Sequence, residues 1–76
     1  MNNTRRKLLQ SIINKLNDCN LELESVKDEE QDAFDNFPEG LQVSERGEAM
    51  ENAISEMENA ISSIEDAITS METAME

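Results

Sequence analysis

Four glutamates, Glu51, Glu58, Glu65 and Glu72, recur every seven residues in the second half of the chain. Residues seven apart on a helix stack along one side, so these carboxylates form a row with steps of about 10 Å. Further acids lie upstream at Glu22, Glu24, Asp28, Glu29, Asp32 and Asp35. The chemistry of such a row is electrostatic: it attracts Lys and Arg. Proteins that grip the DNA backbone present those cations to spaced phosphates and largely ignore base sequence. A rigid acidic rod can occupy the same surface as a DNA mimic. The plainer reading is that helix flanks carry charge for solubility. Helices charged for that purpose usually mix Glu with Lys to form pairs four residues apart, yet residues 47–76 contain no Lys or Arg.

Other chemistry is poorly supported. Asp28, Glu30, Asp32 and Glu39 take places 1, 3, 5 and 12 of a calcium loop, but place 6 is Ala33, where an EF-hand needs glycine. With no histidine and one cysteine, the chain lacks a zinc ligand set. No metal or cofactor is expected. Cys19 falls on an inward heptad place with no imidazole to activate it, so packing is expected of it rather than nucleophilic attack. Met50, Met57, Met71 and Met75 read as core rather than as an adaptable groove. Arg5, Arg6 and Lys7 oppose the dipole at a helix N-terminus and are expected beside the acidic end of a second helix, near Glu72 and Glu76. An enzyme would have to work with carboxylates alone on a rod without a pocket. No enzymatic activity is expected.

The element that positions the glutamate row is a helix with a heptad seam. Ile54, Ile61, Ile68 and Met75 take position a, and Met50, Met57, Ile64 and Met71 take position d. Ala53, Ala60, Ala67 and Ala74 then fall at g, and the four glutamates at e. A seam of alternating three- and four-residue steps must pack against another helix. The first half supplies one, with Leu9, Ile12, Leu16, Cys19, Leu23, Val26, Ala33 and Phe37 at heptad spacing and Glu30 in the remaining place. Leu8, Ile13 and Phe34 widen that stripe. Glu30 has three readings: leaning to solvent, meeting Arg46, or a buried polar group that fixes register.

Phe37-Pro38-Glu39-Gly40 breaks the helical pattern, because Pro restricts the residue before it and Gly accepts a positive φ. The spacing predicts one domain over residues 1–76: a helix over 4–37, a turn over 38–43 and a helix over 44–75. Thr4, or else Asn2 or Asn3, caps the first helix and Ser44 the second. Gly47 is expected to admit the first helix closely, and Leu41 and Val43 to plug the hairpin end with Phe34 and Phe37. Pairing outward from the turn sets Phe34 near Met50, Leu23 near Ile61, Leu16 near Ile68 and Leu9 near Met75. The expected fold is all-α, an antiparallel two-helix coiled-coil hairpin. Its core comprises Leu9, Ile12, Leu16, Leu23, Val26, Phe34, Met50, Ile54, Met57, Ile61, Ile64, Ile68 and Met71. A chain of 76 residues buries little surface alone, and one cysteine excludes an internal disulfide. Dimerisation into a four-helix bundle is therefore expected.

The formal charge of −12 argues against direct contact with nucleic acid or anionic membranes and suits a basic partner. Charge is segregated. Residues 1–20 carry Arg5, Arg6, Lys7 and Lys15 against Asp18, residues 21–45 carry nine acids against Lys27, and residues 46–76 eight acids against Arg46. No run approaches the roughly 18 apolar residues of a membrane span, and Met1–Lys7 lacks the apolar core of a signal peptide. A cytoplasmic location is expected.

The segment D-E-E-Q-D-A-F-D-N-F-P-E-G-L-Q-V-S-E-R-G-E-A-M-E, residues 28–51, resembles one shared by small acidic helical-hairpin proteins of Gram-positive bacteria and their phages. Pro38, Gly40, Leu41, Gln42, Ser44, Glu45, Arg46, Gly47 and Glu48 carry the resemblance. It implies a shared hairpin turn and a phage or mobile-element origin, with the host cytoplasm as location, and brings no activity. The expected function is a small acidic protein-binding module, an inhibitor that occupies the basic surface of a nucleic-acid-binding or defence protein. Its contacts would be Glu22, Glu24, Asp28, Glu29, Asp32, Asp35, Glu51, Glu58, Glu65 and Glu72. The alternative is a structural assembly module whose acids serve only solubility.

Overall fold

Asn2 caps the first helix. Its side-chain oxygen accepts from the Arg5 backbone N–H at 2.8 Å and so satisfies one of the free donors of the first turn. Thr4, the first choice of cap from the sequence, already lies inside the helix. In the computed structural model, which describes all residues from Met1 to Glu76, α1 runs over Asn3–Asp35. It ends where Asn36 N–H still reaches the Asp32 carbonyl and Pro38 forbids continuation. A single turn, α2, spans Glu39–Gln42, and α3 spans Glu45–Ala74. Ser44 caps α3 as expected, its Oγ accepting from Gly47 N–H at 3.3 Å.

α1 and α3 pack along their length as an antiparallel hairpin 58 Å long and 15 by 12 Å across. Arg6 lies beside Met75 at the open end, and Asn20 and Glu24 lie beside Glu65 midway, a register consistent with the pairing predicted outward from the turn. The α3 seam follows the predicted heptad. Ile54, Ile61 and Ile68 are buried, and Met50, Met57, Ile64, Met71 and Met75 are half-buried.

α1 presents a different face from the one predicted. Leu9, Leu16, Leu23, Glu30 and Phe37 are half-buried, and the positions that complete the seam are Ile13, Asn20, Lys27 and Phe34. Ile12, Val26, Cys19 and Ala33, assigned inward by their apolar character, are exposed, Ile12 by 44% and Val26 by 53%. Both sets lie at heptad spacing around the shared Leu9–Leu16–Leu23 column, one on each side of it. Two large hydrophobes, Ile13 (4% exposed) and Phe34 (8%), anchor the ends of the chosen set. Asn20 and Lys27 are carried inward with them.

The turn also departs from expectation. Gly40 has no positive φ, since no residue does, and it sits inside α2. Leu41 and Val43 point outward, 50% and 78% exposed, rather than plugging the end. That role falls to Gln42, whose Nε2 donates to the carbonyls of Phe34 at 3.0 Å and Phe37 at 3.2 Å. The first already accepts the Phe37 backbone N–H at 3.0 Å and the second lies just beyond the end of α1, so Gln42 ties the turn to the last residues of the helix. Gly47 does permit close approach, but of the turn and not of α1. A Cβ there would collide with the Gln42 carbonyl group and lie 2.7 Å from the Leu41 carbonyl oxygen. Arg46 lies over the Phe37 ring at 5.5 Å, a cation–π contact, and makes no ion pair with Glu30.

Candidate acidic surface

Helix periodicity and one shallow cleft fix how the charged columns are arranged. The cleft, about 360 Å³, lies between the helices and is lined by Asn17, Asn20, Leu21, Glu24 and Glu65. The Glu65 column of α3 therefore runs beside the Asn17–Glu24 column of α1. On each helix the residue one before the inner seam position lies on the opposite shoulder. Ile12, Cys19, Val26 and Ala33 thus share the other long flank with Ala53, Ala60, Ala67 and Ala74. The hairpin has one acidic flank and one apolar flank.

The acidic flank gathers seven of the ten predicted contact residues. Glu51, Glu58, Glu65 and Glu72 line its α3 side and are exposed. Glu24, half-buried at the cleft, and the exposed Asp28 and Asp35 line its α1 side. The other three are elsewhere. Glu22, Glu29 and Asp32 are exposed on the outer surface of α1, turned away from the glutamate row by their place in the helical period. Cations on the acidic flank are few. Lys7 stands at its open end, and Lys27 reaches from the seam to Asp28 at 3.5 Å, the one ion pair in the molecule. Arg6 serves the fold, its Nε donating to the Met75 carbonyl at 2.8 Å. There it complements the negative end of α3, rather than pairing with the Glu72 or Glu76 carboxylate.

Asn20 was missed by reading for apolar residues. It is 9% exposed, and its Oδ1 is buried without a hydrogen-bond partner. The signal was present in the spacing, because Ile13, Asn20, Lys27 and Phe34 are seven apart, but two polar residues among four concealed it. Cys19 is exposed and free. No group of three or more His, Cys, Asp or Glu is close enough together to hold a metal ion. No helix is long and apolar enough to cross a membrane. Comparison with protein-family models, with curated proteins and with solved structures gives no match.

What the acidic flank can do is bind cations by charge. Its carboxylates stand in solvent, where single ion pairs are weak, so strength must come from number and from preset spacing. A row on a rigid helix supplies both. Successive glutamates are about 10 Å apart, roughly three times the rise per nucleotide of one DNA strand.

Proposed function

We propose that this chain is a small acidic protein-binding module that occupies the basic surface of a partner. The partner class is a nucleic-acid-binding or defence protein whose Lys and Arg otherwise hold a phosphate backbone. The observation that carries this reading is the concentration of seven carboxylates on one flank of a stiff rod, four of them in register. The resemblance of the turn segment to phage and Gram-positive hairpin proteins fits a phage-type inhibitor working in the host cytoplasm. Homodimerisation into a four-helix bundle belongs to the same reading, since two copies would double the row. Catalysis has no part in it.

The test uses capture of basic proteins from bacterial lysate and competition by duplex DNA. Capture should fall steeply between about 50 and 200 mM salt, as expected when several charges are neutralised at once. DNA should displace the captured protein. The triple variant Glu58→Gln, Glu65→Gln, Glu72→Gln should lose capture while helicity is unchanged. Capture that survives the triple substitution removes the row from the interface. A second reading, a structural assembly module with acids for solubility, is favoured by the exposed apolar flank. It predicts higher assembly without any salt-sensitive partner.

A further inference from the structure

The hairpin is short of buried surface in a specific place. Its accessible surface is 5516 Å², whereas a compact monomer of 8.6 kDa is expected to expose about 4,700 Å². The excess is close to the roughly 800 Å² that one partner contributes to a standard interface. No side chain is fully buried. On and beside the apolar flank three large hydrophobes remain uncovered, Leu8 at 61% exposed, Ile12 at 44% and Val26 at 53%, whereas the acidic flank leaves only Leu21 (65%) and the turn Leu41 and Val43. The first three all belong to α1, while α3 contributes only alanines to this flank.

Charge then selects the occupant and its direction. The column of α1 that borders this flank on its outer side reads Leu8, Lys15, Glu22 and Glu29. Lys15 makes no ion pair within the hairpin, where Lys27–Asp28 is the only one. The first twenty residues hold four of the six cations, and residues 21–45 hold nine acids. A parallel partner would set Lys15 against Lys15 and Glu22 against Glu22. An antiparallel copy of α1 sets Lys15 beside Glu22 twice and leaves Glu29 opposite Leu8, with no like charges paired in this column. Docking α1 on the α3 of a second copy would instead bring the acids of residues 21–35 beside a helix that has no cation beyond Arg46.

We propose that the apolar flank is the homodimer interface, with α1 packed antiparallel on α1 of a second copy about a two-fold axis at Cys19. Ile12 then meets Val26 of the second copy, and Lys15 lies beside Glu22 of the second copy, twice by symmetry. The α3 helices meet across Ala60 and Ala67, which allow close approach. The acidic flanks face outward on opposite sides of the four-helix bundle. This arrangement rests on the dimer reading above and specifies its interface and direction.

Sedimentation equilibrium should give twice the 8.6 kDa chain mass. Lys15→Glu and Glu22→Lys should each weaken dimerisation by about tenfold, because two exposed pairs become repulsive together. The double variant should restore it to within about threefold by the same pairwise logic. In a Cys19→Ser background, Ile12→Cys and Val26→Cys proteins should form a mixed disulfide with each other and none with themselves. Circular dichroism of each variant reports that the helices are intact. A monomer at all concentrations, disulfides of Ile12→Cys with itself, or failure of the charge swap to restore assembly would overturn the proposal. Glu58→Gln and Glu65→Gln should leave the dimer mass unaltered, so failure of acidic docking and failure of this interface are read separately.

Discussion

α1 and α3 are of nearly equal length and pack on one another, yet they are built on different logics. In α3 each heptad column holds nearly one kind of residue: Ile at a, Ile or Met at d, Ala at g and Glu at e. Only one face can be buried, and it is. In α1 apolar residues occupy three adjacent columns and more of them exist than α3 can cover. The consequence is a core that includes Asn20 and a surface that includes Ile12 and Val26. A helix with one seam specifies one neighbour, whereas a helix with a surplus specifies a neighbour and leaves a second contact unfilled.

That difference can be broken experimentally, and the turn that joins the two helices gives the largest expected effect. Gly47→Ala places a Cβ into the Gln42 backbone. Backbone cannot yield as a flexible side chain can, so the cost should be about 3 kcal/mol, measured by urea denaturation followed by circular dichroism. Gly40→Ala meets nothing within 4 Å and, lying in a helical turn, should be neutral or slightly stabilising.

Next comes a matched pair of truncations on the two helices. Ile61→Ala, in the filled seam of α3, should cost about 2–3 kcal/mol. Ile12→Ala, on the surplus face of α1, should cost less than about 0.5 kcal/mol when the hairpin is kept dilute and monomeric. Equal effects would show that the two faces of α1 are equally engaged, and would return Ile12 to the core. The remaining change is a gain. Asn20→Leu should raise stability by about 1 kcal/mol, since a buried carbonyl oxygen without a partner is replaced by hydrocarbon. A loss at Asn20 on dilution-independent denaturation would mean that its Oδ1 is satisfied in solution.

The same contrast explains what could be read from the residues and what could not. The α3 seam, the Ser44 cap and the hairpin topology follow from spacing, because one residue type per column leaves no competing face. The α1 seam did not follow, because burial there is decided by Ile13 and Phe34 together with the shared leucines, and those two carry Asn20 and Lys27 inward. Choosing columns by apolar count favours Ile12, Cys19, Val26 and Ala33. The turn differs for a related reason: Leu41 and Val43 are apolar, but Gln42 has the amide that can donate to two backbone carbonyls, those of Phe34 and Phe37, at once. The acidic row was legible as a column on α3. Its companions were not, since Glu22, Glu29 and Asp32 need the orientation of α1 before they can be separated from Glu24, Asp28 and Asp35.

The two ends of the rod are held unequally. At the turn, Gln42 fastens two carbonyls, Gly47 lets the chain close tightly, and Arg46 covers Phe37. At the open end one guanidinium bond, Arg6 to Met75, joins the helices. Amide hydrogen exchange should therefore be graded along each helix, slowest beside the turn and fastest at the open end, with the two helices parting from there like a peeled seam. Anything fused to either terminus is attached where the molecule is loosest.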